Sequence, residues 1–300
     1  YLRANHDERQ DMLEAVARRI ARPKLEGEQW VRVTAMGGFR QVGRSASLLT
    51  TRESKILIDC GLDPSSENTP YFGIPEAQPL SELDAVVITH AHLDHCGTLP
   101  ALFKYGYKGP VYCTPPTRDL MALLQLDNIK LGFGENKKTP YEAQHVRQEI
   151  LHTIPLKYNE VTDIAPDVRL TFYNAGHILG SAIAHFHIGE GLHNVAFSGD
   201  TKYEKTWLFN PANTKFPRLE TLVMESTYGG HSDMQPSRAD ASDQLGNYLQ
   251  QAVEHGGHVL IPVFAVGRSQ EVMLVIEELM RTGKIPTMNV WLDGMIWEAT

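Results

Sequence analysis

The amino-acid sequence predicts an α/β fold whose sheets pack as layers, and three observations carry that expectation. Short apolar strands come first, strand–helix alternation follows, and strands then return. That order suits a layered sandwich better than a purely parallel sheet. A run of metal-grade side chains, His90-x-His92-x-Asp94-His95, stands directly after the apolar stretch Leu83 to Thr89. Single Asp or His residues also follow three other strand-like runs, where a sheet presents side chains at its rim.

Taken in order, residues 6–22 carry Met12, Leu13, Val16 and Ile20 at helical spacing, and Pro23 closes the run. This predicts a surface or linker helix. Its Arg18, Arg19 and Arg22 could touch RNA, although acidic residues of the same stretch offset them. From Trp30, strands are expected at Val31–Thr34, Ala46–Thr50, Lys55–Asp59 and Ala85–Thr89, separated by Gly-rich or polar turns. Thr98–Tyr105 reads as a helix, Val111–Cys113 as a strand, and Thr117–Leu131 and Tyr141–Ile154 as helices. Strands return at Val168–Asn174, Ala182–Ile188, Asn194–Ser198 and Thr221–Met224. After Tyr228 a polar Gly/Pro segment leads to a helix at Ala241–Glu254 and a strand at Val259–Phe264. A helix through Met280 and a strand at Thr287–Leu292 complete a β-α-β unit. The chain thus divides into a linker helix over 1–28, a main domain over 29–230 and an incomplete second domain over 231–300.

Composition narrows the function classes. Three hundred residues with 42% hydrophobic and 21% charged content are ordinary for a folded protein with a sizeable core. The formal charge of −8 does not advertise nucleic-acid binding, so any such site must be a local basic patch or must gain charge from bound cations. Cys60, Cys96 and Cys113 form no CxxC pair and read as packed, reduced thiols. No run is apolar enough to span a bilayer and no signal-peptide pattern occurs, so no membrane partner and a cytoplasmic location are expected. The chain opens on Tyr1 and stops at Thr300 after a strand-like run, so both ends read as cut from something longer.

The chemistry rests on ligand type and spacing. His90 and His92 share one side of an extended end and can grip one ion, while Asp94 and His95, past the bend, face a second. Imidazole nitrogen and carboxylate oxygen are donors that zinc accepts. Paired metals are a known device for hydrolysing phosphate and acyl bonds. Asp59, His177 and Asp200 are each weak alone, being ordinary turn or loop residues by type. Their order around the central run is the stronger signal: Asp, His-x-His-x-Asp-His, His, Asp. His185 and His187 alternate on one strand face without a carboxylate partner and read as structural.

This ordered set resembles the metallo-β-lactamase superfamily over roughly Val31 to Tyr228. The resemblance implies an αββα sandwich in which His90, His92 and His177 bind one Zn2+ ion, Asp94 and His95 bind another, and Asp200 bridges both. It makes Asp59 an orienting residue of the metal loop rather than a ligand. Two later segments, Met224-Glu225-Ser226-Thr227-Tyr228-Gly229 and Val263-Phe264-Ala265-Val266-Gly267-Arg268-Ser269-Gln270-Glu271, look like the β-CASP branch, whose members process nucleic acid. The whole is most similar to archaeal relatives of the cleavage and polyadenylation specificity factor endonuclease. The implied activity is a zinc-dependent ribonuclease, chiefly an endonuclease with room for 5′-to-3′ exonuclease action. It would act on single-stranded RNA in 3′-end processing or transcription termination, as a homodimer in the full-length protein.

In that branch Asp59, Asp94, Asp200 and Glu225 serve catalysis, and Glu225 pairs with a histidine that follows the inserted domain. A further late histidine completes the shell of the second metal. Neither occurs in this chain, which puts turnover by this piece alone in question. The turn Gly267-Arg268-Ser269 ahead of a helix points backbone N–H groups at an anion, and Arg268 adds a bidentate phosphate grip, so Arg268 and Ser269 are expected to bind substrate. Two other functions share part of the pattern: a small-molecule hydrolase of the glyoxalase II kind, and a non-catalytic RNA-binding subunit.

Overall fold

A computed structural model describes residues 5–63, 65, 70, 72–134 and 139–300. Six strands form one sheet in chain order: β1 (Val31–Gly37), β2 (Ala46–Thr51), β3 (Lys55–Ile58), β4 (Ala85–Val87), β5 (Val111–Cys113) and β6 (Thr153–Pro155). The first three pair antiparallel, and β3 to β6 run parallel. Parallel neighbours need crossovers. Helices α2 (Leu93–Cys96) and α3 (Leu99–Lys104) connect β4 to β5, and α4 (Pro115–Gly134) and α5 (Ala143–His152) connect β5 to β6. The second sheet has the order β11-β10-β9-β8-β7, with β7 (Val161–Ala165), β8 (Val168–Asn174), β9 (Ala182–Ile188), β10 (His193–Phe197) and β11 (Thr221–Val223). Its strands pair antiparallel except β10 with β11.

Two-residue alternation explains why both faces of the first sheet are buried. Ile56, Ile58, Ala85, Val87 and Tyr112 point between the sheets, where they meet Leu170, Phe172, Phe186 and Phe197. The intervening Leu57, Val86, Ile88, Val111 and Cys113 point the other way, against Leu99, Leu102, Met121 and Leu124 of the helical layer. Each Val, Leu, Ile, Met or Phe among them contributes roughly 1.5–3 kcal/mol by leaving water. On the outer face of the second sheet, Ile183, Ala196 and Tyr173 meet Ala212, Phe216 and Leu219, so an irregular segment rather than a helix covers it among the described residues. His185 and His187 share this face. One ring bonds the Arg218 carbonyl at 2.9 Å and the other the Asn194 side chain at 2.6 Å, in keeping with a structural role.

The first helix, α1 (His6–Ile20), is held to the sheet by its arginines. Arg19 Nε donates to Asp84 Oδ1 at 2.7 Å, and Arg9 donates to the carbonyls of Leu151 and Thr153. Arg22 donates to the Glu53 carbonyl. Of the cluster that could have faced RNA, Arg19 and Arg22 are therefore occupied with structure, and Arg18 pairs with Glu14 one turn away.

The sequence-based outline needs three corrections. The helix expected over Tyr141–Ile154 ends at His152, and its last residues enter β6, which pairs with β5. Strand β7 was not anticipated. Val259–Phe264 and Thr287–Leu292 join no sheet, because no described segment offers them a hydrogen-bonding edge. Leu260 and Trp291 are accordingly 93% and 86% exposed. The helices before, between and beyond these segments do form, as α6 (Arg238–Glu254), α7 (Arg268–Arg281) and a short α8 (Ile296–Ala299). Helices α6 and α7 pack through Leu249, Ile276 and Leu279, a small core of their own.

One buried acid departs from ordinary core chemistry. Glu149 of α5 is fully buried, and neither carboxylate oxygen has a hydrogen-bond donor. Burial pushes its pKa well above the usual carboxylate range, against a smaller opposing contact with Gln125. The folded state therefore keeps a proton that the unfolded chain releases, so this group's contribution to stability falls as pH rises above the ordinary glutamate range. Glu149→Gln is expected to remove that loss, which amounts to about 1.4 kcal/mol for each pH unit over which the extra proton is held. Denaturant unfolding of both proteins from pH 5 to 8 checks it. Parallel stability-versus-pH curves would contradict the assignment.

Candidate metal centre

The site assembles at the carboxyl ends of strands from both sheets. His90 follows β4, His177 follows β8 and Asp200 follows β10, while His92 is the N-cap of α2 and Asp94 and His95 lie within it. Two glycines permit this convergence. A Cβ on Gly61 would come within 1.7 Å of the Asp94 carbonyl oxygen, so only glycine lets the chain after β3 pass against the metal loop. Gly199 has φ +53°, and a Cβ there would meet the Thr89 side chain at 2.7 Å, next to Asp200.

The imidazoles of His90, His92 and His177 form an equilateral triangle. Their ring centroids are 5.0 Å apart in every pair, and the planes are nearly perpendicular, at 82°, 83° and 78°. One donor atom from each ring and one Asp200 oxygen all lie within 4.8 Å of one another. Asp200 reaches to both sides. Its Oδ2 is 3.9 Å from His90 Nε2 and 3.6 Å from His177 Nε2, while Oδ1 is 3.2 Å from His95 Nε2. Asp94 Oδ2 lies 3.9 Å from the same His95 nitrogen.

Asp59 organises the ring orientations. It follows β3 at φ +58°, a left-handed conformation that Asp tolerates better than most residues. Its Oδ1 accepts from the Thr89 backbone N–H at 2.8 Å, and its Oδ2 accepts from Thr89 Oγ1 at 2.9 Å and from His95 Nδ1 at 2.7 Å. Because the Thr89 hydroxyl donates to Asp59, it accepts from His90 Nδ1 at 3.1 Å. Both rings thereby turn their Nε2 atoms inward. Thr89 was not singled out from the sequence, nor was Ser181, whose hydroxyl accepts from the backbone N–H groups of His177 and Ile178. The available signal for Ser181 was its position four residues after His177, spacing at which a serine can bond back to the chain.

Charge states follow from burial and neighbours. Burial holds His90 well below the usual histidine pKa, with the neighbouring rings adding to the effect. Burial lowers His177 to about 4 despite the opposing Asp200. Burial opposes ionisation of Asp200, but His95, His177 and His92 outweigh it and bring its pKa down to about 2. Burial alone would lower His95, yet Asp59 and Asp200 hold it well above its ordinary value. The neutral rings of His90, His92 and His177 beside an ionised Asp200 are in the protonation states that ligate a cation, whereas His95 would give up a proton on binding one. His90 Nε2 is buried without a hydrogen-bond partner, a costly arrangement that a metal ion would satisfy, and His92 turns Nδ1 towards His177 Nε2 at 3.1 Å. The donor set therefore fits a metal.

Glu225 sits beside the cluster. Its Oε1 accepts from the Thr201 N–H at 2.8 Å, bracing the chain that follows Asp200. Arg268 is exposed at the start of α7, near enough to His177 to act on its charge. Ser269 is buried, and its hydroxyl donates to the Ala265 carbonyl.

Two packed sheets with three imidazoles and a carboxylate gathered at their rim define an α/β sandwich whose donor cluster could hold a metal ion. This chain belongs to the metallo-beta-lactamase superfamily, whose family model matches residues 40–250. It is 60% identical over its whole length to a protein from Methanosarcina mazei named transcription termination factor FttA, covering 47% of that protein. Proteins of the same name from Methanothermobacter thermautotrophicus and Pyrococcus horikoshii are 55% and 52% identical over 99% and 100% of this chain, again across 47% of their own length. The chain thus spans about half the length of the curated relatives it matches. A solved metallo-beta-lactamase fold protein, YhfI from Bacillus subtilis, overlaps 59% of this chain and 65% of its own at 20% identity, with a TM-score of 0.38, too low to add to the assignment.

Proposed function

We propose that the intact protein is a zinc-dependent ribonuclease that cuts single-stranded RNA in transcription termination or 3′-end processing. It acts chiefly as an endonuclease, with room for 5′-to-3′ exonuclease action. The observation that carries this reading is the triangle of His90, His92 and His177 closed by a carboxylate that reaches a second donor pair. The relatives named transcription termination factors support RNA as the substrate.

In this reading His90, His92 and His177 would hold one zinc ion, Asp94 and His95 would hold a second, and Asp200 would serve both. Zinc, when bound, would lower the pKa of water from about 15.7 towards 7 and neutralise charge on a phosphate oxygen. Asp59 fixes His95 and, through Thr89, His90, so the donors need not reorganise during reaction. Glu225 braces the Asp200 turn and, by the β-CASP resemblance, orients a proton donor for the leaving group. Arg268 grips a phosphate beside the scissile one. Ser269 contributes only its backbone N–H, its hydroxyl being engaged in the turn. We assign residues 29–230 to the catalytic domain and 231–300 to a β-CASP domain, and the intact protein to a cytoplasmic homodimer.

The test is direct. Purified intact protein is expected to cleave labelled single-stranded RNA, to lose that activity on treatment with a chelator, and to leave a panel of thioesters and lactones untouched. Thioester turnover without RNA cleavage would favour a small-molecule hydrolase. RNA binding with neither activity nor bound metal would favour a non-catalytic subunit.

A further inference from the structure

We propose that Phe264 is a stacking platform for one unpaired nucleobase next to the reacting phosphate, so that this side chain helps select single-stranded substrate. The inference rests on the ribonuclease reading and adds a residue and a selection rule to it.

Phe264 combines three properties on one side chain. The residue is 77% exposed, although those that follow it are packed: Val266 is buried and Ala265 lies against the main core. Its ring centroid is 6.2 Å from that of His92, with the planes tilted by 47°, so an aromatic face borders the metal ligands. Its backbone is held from the C-terminal side. The Ala265 carbonyl accepts from both Ser269 Oγ and Gln270 Nε2, and Gly267 N–H donates to Gln270 Oε1. Gly267 has φ +93°, and a Cβ there would come within 2.5 Å of Ile178, so this turn lies directly on the loop that carries His177. His92 in turn rests against the Val266 backbone.

An apolar ring fixed beside a phosphate-cutting centre has one substrate part to meet. The phosphate and sugar are polar, and only the base offers a flat apolar face. Stacking on an aromatic ring is sequence-tolerant because every base has such a face. In a duplex those faces are covered by neighbouring pairs, so a stacking residue at the centre admits a splayed strand and disfavours a helix. Arg268, four residues further on and exposed, is the matching cation for an adjacent phosphate.

The experiment measures equilibrium affinity of the intact, metal-loaded protein for a short labelled oligoribonucleotide. A companion set carries a single abasic nucleotide at successive positions. Wild-type protein is expected to lose affinity at one position of the set. Phe264→Ala is expected to bind the complete strand roughly five- to a hundredfold more weakly, the span of base–aromatic stacking, and to become indifferent to the abasic nucleotide at that position. Phe264→Trp is expected to restore both affinity and positional sensitivity, and metal content should be equal in all three proteins. If Phe264→Ala bound like wild type, or kept the same positional sensitivity, the stacking role would be wrong while the ribonuclease reading stood. If wild-type protein neither bound nor cut RNA, the ribonuclease reading itself would fail and this inference with it.

Discussion

Replacing His90 and His92 together with alanine is expected to empty the centre of metal and to abolish RNA cleavage by the intact protein. Two corners of the imidazole triangle disappear, leaving His177 and Asp200 as the remaining donors of the four-residue set. Removing one charge-stabilising partner in a catalytic site typically costs about 100- to 1000-fold in rate. Loss of the ion itself should exceed that and leave turnover below detection. RNA affinity should fall far less than turnover, since Arg268 keeps its phosphate contact although the metal's contact is lost. Elemental analysis of the purified variant, alongside a cleavage assay, checks both halves. Wild-type turnover by this double variant would end the metal assignment.

Asp59→Ala is expected to act at one remove. Asp59 touches the cluster only through His95 and Thr89, yet its carboxylate receives three hydrogen bonds in a buried position. Alanine leaves the Thr89 N–H and His95 Nδ1 without their acceptor and frees both rings to rotate. Outer partners of this kind are worth about 10- to 100-fold in metal affinity. Breaking a buried charge pair from one side costs about 3–5 kcal/mol in stability. Competition against a chromogenic chelator reads the first effect and denaturant unfolding the second. Asp59→Asn retains an oxygen acceptor and should fall between. A full complement of tightly held metal in the alanine variant would show that His95 needs no such partner.

Much of this architecture could be read before any coordinates, for a physical reason. Most strands of both sheets, though not β6 or β7, announce themselves because their buried faces demand dense apolar runs, as in Lys55–Ile58 and Ala182–Ile188. The prospective ligands stand out because carboxylates and imidazoles at the ends of such runs are chemically conspicuous. What escaped notice depends on partners distant in sequence. Val259–Phe264 is as apolar as a strand, but pairing needs a neighbouring edge that no local pattern reveals. Thr153 and Ile154 look like the end of a helix until β5 claims them. Thr89 is an unremarkable threonine whose role exists only because Asp59, thirty positions earlier, folds against it. The buried Glu149 sits in a helix of ordinary composition, and only packing reveals that its charge has nowhere to go.

The donors of the proposed first ion come from opposite halves of the sandwich: His90 and His92 belong to one sheet's rim, His177 and Asp200 to the other's. A cation seated among them would act as a rivet through two plates. Ligand that binds only the native state adds stability in proportion to the logarithm of its free concentration over its dissociation constant. Mutations deep between the plates, far from any chemistry, would therefore surface as weakened ion retention, and scarcity of the ion as a looser protein.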